Sequence, residues 1–288
     1  MTRILTSARV FLSLAFAGFG VQYLGILPIA GPPWYPVHSS LSIAGCIFLL
    51  AGGLLTRGAA HLAALLLGSA LLVRVVVFHL PQLLMHLRDP NIWTGFGEVL
   101  ALAGGAWMLA AALPGSSSPF TRALANGRYA FAASLVIFGV LHFRYAFFIS
   151  TLIPAWIPER FFFANFVGLC FIAAALAIAT GVRARLAAYL LAAMFFIWVV
   201  ILHAPRVAHS PHSGNEWTSM FIGLAMAASS LAAAASARIP PDLSTAGYPT
   251  SHREVKVVRS PTKAKRERPK EANPATRATG GSAWMANP

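Results

Sequence analysis

The sequence predicts an all-α, polytopic membrane bundle of eight transmembrane helices arranged as two parallel four-helix repeats. Three observations carry that prediction. Of 288 residues, 57% are hydrophobic and only 10% are charged, whereas a soluble domain carries about 25% charged residues. The apolar residues fall in runs long enough to cross a bilayer, which takes about 20 of them as helix. Finally, the chain resembles itself after a shift of 124 positions.

The expected spans, in order, are Val10–Leu27, Ser39–Thr56, Ala60–His79, Ile92–Leu113, Tyr129–Ile149, Phe161–Thr180, Ala184–Leu202 and Trp217–Ala237. Arg3 and Arg9 before an apolar stretch are also signal-peptide features. Here the stretch is longer than a usual signal core and further spans follow, so it reads as a retained first helix. Backbone groups in lipid must bond internally, and Ala-, Leu-, Gly- and Phe-rich runs do so as helices. Gly52, Gly53, Gly104 and Gly105 suit close helix–helix approach.

At a shift of 124, Phe78-His79-Leu80-Pro81 falls on Leu202-His203-Ala204-Pro205. Asn91, Trp93 and Thr94 fall on Asn215, Trp217 and Thr218, and Cys46 falls on Cys170. Upstream the shift becomes 119, placing Phe19-Gly20-Val21 on Phe138-Gly139-Val140, Arg3 on Arg122 and Arg9 on Arg128. The length difference falls in the first loop, where insertions are tolerated. Each repeat holds an even number of spans, so both copies enter the membrane the same way round, related by an axis along its normal.

The net charge of +14 does not indicate nucleic-acid binding, because the basic residues lie in short connections and in the last fifty positions. Arg3, Arg9, Arg57, Arg122, Arg128, Arg183, Arg185, Arg238 and the tail fall on one side, and Arg88, Arg160 and Arg206 on the other. By the positive-inside rule the first side is cytoplasmic, as are both termini. Trp34, Trp93, Trp156 and Trp217 then fall near the outer interface. The expected organisation is repeat one over 1–120, repeat two over 121–238 and a disordered basic cytoplasmic tail over 239–288. The tail reads as solvated, with anionic headgroups as its other candidate contact.

Gly139-x-x-His142-Phe143, then Leu152-Ile153-Pro154-Ala155-Trp156-Ile157-Pro158, a span containing Gly168, and Arg183-x-Arg185-x-Ala187 form a pattern in the second half. The pattern resembles the DoxX-like family of small bacterial membrane proteins, over roughly Arg128 to Arg206 and more weakly in the first half, where Tyr23 stands in place of His142. The resemblance implies an inner-membrane, multi-pass protein and a link to respiratory or thiol redox chemistry, with quinone as the implied partner molecule.

Ionisable groups at membrane depth cost at least about 2.5 kcal/mol each and are candidate functional sites. Arg74, Glu98, His142 and Arg144 qualify. Arg74 lies five residues before His79 and Glu98 five after Trp93, and this common depth suggests a structural ion pair. Its two positions become Trp198 and Ile222 in the second repeat, so both charges vanish together. The candidate binding group is His142 and Arg144 with His79 and His203, suited to an anion or a quinone carbonyl. Snorkelling to headgroups is the structural reading of Arg144.

The paired His79 and His203 also raise bis-histidine haem. The repeated His-x-Pro reads instead as a cap that ends each helix at the interface. Cys46 and Cys170 read as small core residues, and no spacing indicates a dedicated metal site or a catalytic nucleophile. Three functions follow: a redox-associated protein binding a quinone or similar small hydrophobic molecule near the outer face, a small-solute transporter or channel, or a non-catalytic membrane subunit with a protein partner. Against transport, no matched pair of spans carries a Pro or Gly break at mid-membrane.

Overall fold

A computed structural model describes residues 2–27, 37–114 and 123–237. The tail after Ala237 lies outside the described residues, as do Trp34, Arg122 and Arg238. The helices are α1 (Thr2–Tyr23), α2 (Val37–Leu55), α3 (Ala60–Arg74), α4 (Leu80–Met85), α5 (Pro90–Ala112), α6 (Gly127–Arg144), α7 (Ala146–Leu152), α8 (Arg160–Thr180), α9 (Ala184–Trp198), α10 (Ala204–His209) and α11 (Gly214–Ser236). Two π-helical turns, Val75–His79 and Val199–His203, join α3 to α4 and α9 to α10.

Seven stretches of the described chain are long and apolar enough to cross a membrane, and α2 adds a helix of 19 residues. Large apolar side chains face outward along them: Leu49 is 78% exposed, Leu190 63% and Leu176 61%. Water would not tolerate a surface of that extent, and lipid does. The molecule is a multi-pass helical membrane protein.

The core centres on α5 and α11, whose most apolar windows are 61% and 67% buried, against 17% for the 184–209 stretch. These two helices pack on each other. Around α5 stand α3 and α6, and around α11 stand α9 and α1. The outer helices α2 and α8 close the ring, α2 against α1 and α3, and α8 against α6 and α9.

Local chemistry sets the helix ends. Asp89 caps α5, its carboxylate accepting from Asn91 N at 2.8 Å with Pro90 at the first helical position. Gly181, at φ 82°, ends α8 in the left-handed region that glycine enters without strain. Arg9 closes the end of α2, with Nε donating to Leu54 O at 2.6 Å and an Nη to Leu55 O at 2.7 Å. A cation suits the carbonyl end of a helix.

Equivalent hydrogen bonds recur at the spacing of 124 residues. Trp93 Nε1 donates to Leu87 O at 2.8 Å, and Trp217 Nε1 to Pro211 O at 2.9 Å. His86 N bonds Gln82 O at 3.0 Å, as Ser210 N bonds Arg206 O at 2.9 Å. Asp89 N to His86 O and Ser213 N to Ser210 O are both 3.0 Å.

Two expectations about span ends need correction. His79-Leu80-Pro81 and His203-Ala204-Pro205 do not end their helices, which run on to Met85 and His209. The π turns explain why. Leu80 N bonds Val75 O and Ala204 N bonds Val199 O, each five residues back. In regular α-helix the proline ring would meet the carbonyl four residues earlier, and the wider turn just ahead of it relieves that conflict. The span expected over Tyr129–Ile149 breaks at Tyr145, with φ −120° and ψ 29°, before the short helix α7.

Candidate functional site

The ends of α1, α4, α6 and α10 and the starts of α5, α8 and α11 lie at one end of the bundle. Gln22, near the end of α1, fixes this arrangement: Nε2 donates to Gly214 O at 3.4 Å and to Thr218 Oγ1 at 3.2 Å at the start of α11. Both π turns belong to this end, and each brings a histidine against a central helix. The His79 ring faces Gly95 of α5, and the His203 ring faces Gly223 of α11.

The four candidate binding residues occupy separate places. Arg74 Nε donates to His79 Nε2 at 3.3 Å, which puts the His79 proton on Nδ1. The Nδ1 of His203 is buried without a hydrogen-bond partner. His142 bonds its own helix, Nδ1 to Phe138 O at 2.8 Å, and meets the Phe171 ring of α8 edge-on at 5.2 Å. A carbonyl only accepts, so Nδ1 carries the hydrogen and Nε2 keeps its lone pair. Arg144 is exposed at the end of α6, as snorkelling requires. Among the described residues, no hydrogen bond or ring contact joins any two of these four. Nor do three or more His, Cys, Asp or Glu side chains gather where they could hold a metal ion.

Arg74 and Glu98 do not meet as an ion pair, because Arg74 turns to His79. Among the described residues the ion pair falls elsewhere, between Arg206 of α10 and Glu216 of α11. It is two-pronged: Nε to Oε2 at 2.8 Å and Nη2 to Oε1 at 2.7 Å. The Glu216 side chain is 17% exposed and that of Arg206 is 37% exposed. A planar guanidinium fits a carboxylate this way, and both bonds are charge-assisted.

Beside this pair lies an open groove of about 480 Å³, within the range of about 300–1,000 Å³ common for small-molecule sites. Leu152, Trp156, Leu202 and Pro205 supply its apolar lining, and Arg206, His209 and Glu216 its polar lining. Trp156 is 72% exposed. Charges in loops and at helix ends read first as topology signals, so the sequence alone gives Arg206 a role in sidedness only. The available signal was the lone acid ten residues later, across one helical turn and a short loop.

Comparison with family models, curated proteins and solved structures gave no match to this chain.

Proposed function

We propose that this membrane protein binds an amphipathic small molecule of the quinone class in the groove beside Arg206 and Glu216. The carrying observation is the pairing of an apolar wall with a two-pronged ion pair in one open cleft. Trp156 and Leu202 offer apolar area to a ring and tail. Arg206 and His209 offer donors to ring carbonyls, the guanidinium being more exposed than the carboxylate it grips. This moves the candidate contacts from the His79, His142, Arg144 and His203 group to residues at the same end of the second half.

The reading includes a DoxX-like bacterial inner-membrane protein of eight spans in two parallel repeats. The hydrogen bonds recurring at 124 residues support the repeats, as does the matched packing of α3 on α5 and α9 on α11. Both termini are cytoplasmic in this reading. Arg3, Arg9, Arg57, Arg128, Arg183 and Arg185 crowd one end with no acid among the described residues there, while Asp89, Glu159 and Glu216 all lie at the other.

The test is equilibrium binding of a short-tailed quinone to the purified protein in mild detergent. Trp156→Ala and Arg206→Ala should each weaken binding about tenfold or more, equivalent to about 1.4 kcal/mol. Absence of binding by the native chain would overturn the reading.

A second reading, a small-solute transporter, draws on the interruption of α-helix at matching places in both halves, Val75–His79 and Val199–His203. Such sites use paired irregular helices near the membrane middle, whereas these turns lie toward one end of the bundle, so this reading ranks second. Flux in reconstituted vesicles, abolished by inserting a residue into either π turn, is its test.

A further inference from the structure

Glu98 stands eight residues into α5, about 12 Å along the helix at 1.5 Å per residue. Its direction follows from the glycines around it. Gly97 and Gly104 both rest on α6, the first against Phe138 and the second against Gly127 and Phe131. A face of α5 thus keeps the same neighbour over seven residues, close to two full turns. Gly105 rests against Ser229 of α11. Glu98, seven residues before Gly105, therefore stands on the α11 side of α5, where it is partly buried.

Among the described residues no cation pairs with it, and it has no hydrogen-bond partner there. From Trp217 to Ser236, α11 holds no ionisable residue, and α1 holds none between Arg9 and Tyr23. On α3 and its π turn, Arg74 and His79 bond each other. On α6, His142 bonds Phe138 and packs on Phe171, Arg144 is exposed, and Arg128 and Tyr129 lie at the opposite end. An ionised carboxylate left alone in a low-dielectric interior is strongly disfavoured, and the neutral acid is the form that such a site holds.

A polar stripe leads to it. Asn91, Thr94 and Glu98 have the i, i+3, i+7 spacing that puts them on one face of α5, and Asn91 is exposed at the end of the helix. Thr94 Oγ1 donates to Pro90 O at 2.8 Å, which leaves its lone pairs free to accept.

We infer that Glu98 is a proton-binding site in the membrane interior, a neutral carboxyl on the α11 side of α5 that exchanges its proton with water at the Asn91 end. The proton arrives from hydronium, leaving water, and returns by the reverse step. This site is separate from the groove at Arg206 and does not depend on what that groove binds.

The full chain in lipid vesicles at neutral pH should show the infrared carbonyl stretch of a protonated carboxylic acid. Loss of the band in Glu98→Gln is the expected result. Absence of the band in the native chain, or its survival in Glu98→Gln, would overturn the inference. A measurement on the native chain guards against misfolding of the variant: a hydrophobic carbodiimide, which attacks neutral carboxyls, should label the peptide containing Glu98, and less so as pH rises. Recovery of that peptide unlabelled would also overturn it.

Discussion

Gly105 of α5 rests directly against Ser229 of α11, and the two residues stand 124 positions apart. The two central helices run in the same direction and meet in the same register. The Cβ that Gly105→Ala would add collides with the Ser229 side chain. Overpacking of this kind costs about 1–3 kcal/mol. Gly105→Ala should lower the thermal midpoint in detergent, and adding Ser229→Gly should restore most of it. Ser229→Ala alone should be neutral or stabilising, because Oγ is buried without a partner.

Arg206→Ala leaves Glu216 mostly buried and uncompensated. The expected loss is about 1–2 kcal/mol, reduced from that of a fully buried pair by the solvent around Arg206. Arg206→Lys should recover only part of it, since an ammonium cannot make both bonds of the fork. Thermal unfolding of the three proteins side by side measures this order.

Arg9→Ala should destabilise by about 1–2 kcal/mol, because two carbonyls at the end of α2 lose a charged donor. Arg128 makes a different set of contacts, one Nη to the Tyr129 hydroxyl at 2.7 Å, with Nε unpartnered. Arg128→Ala should therefore cost less than Arg9→Ala in the same unfolding assay.

The proposed sidedness predicts a labelling pattern. With Cys46 and Cys170 replaced by serine, Ser210→Cys should react with a membrane-impermeant thiol reagent added outside intact cells. Gly58→Cys should react only after the membrane is opened. The reverse pattern would invert the topology.

The fold was legible where one physical term dominates. Apolar length marked the membrane helices, and α8 and α9 begin within a residue of the expected places. The sequence misled where a local rule has a geometric escape: Pro81 and Pro205 looked like stops, but a π turn carries each helix past its proline. Depth along a helix was readable from spacing, and azimuth was not. Arg74 and Glu98 share a depth, but Glu98 shares the heptad face of Gly105 toward α11 while Arg74 bonds the histidine on its own helix. The groove escaped notice because its walls come from segments some fifty residues apart, Leu152 to Trp156 and Leu202 to His209.

The shared register of α5 and α11 makes their contact self-complementary, the property that closes two-fold dimers of identical subunits. A dimer of identical chains must place every group near its axis twice, and two carboxylates there would repel each other. A single polypeptide that supplies both helices escapes that rule. Glu98 stands on the α11 side of α5, and Ile222 holds the matching position on α11. In the proposed two-repeat reading, covalent joining of the halves permits asymmetry at the molecule's centre: one acid where symmetry would demand a pair.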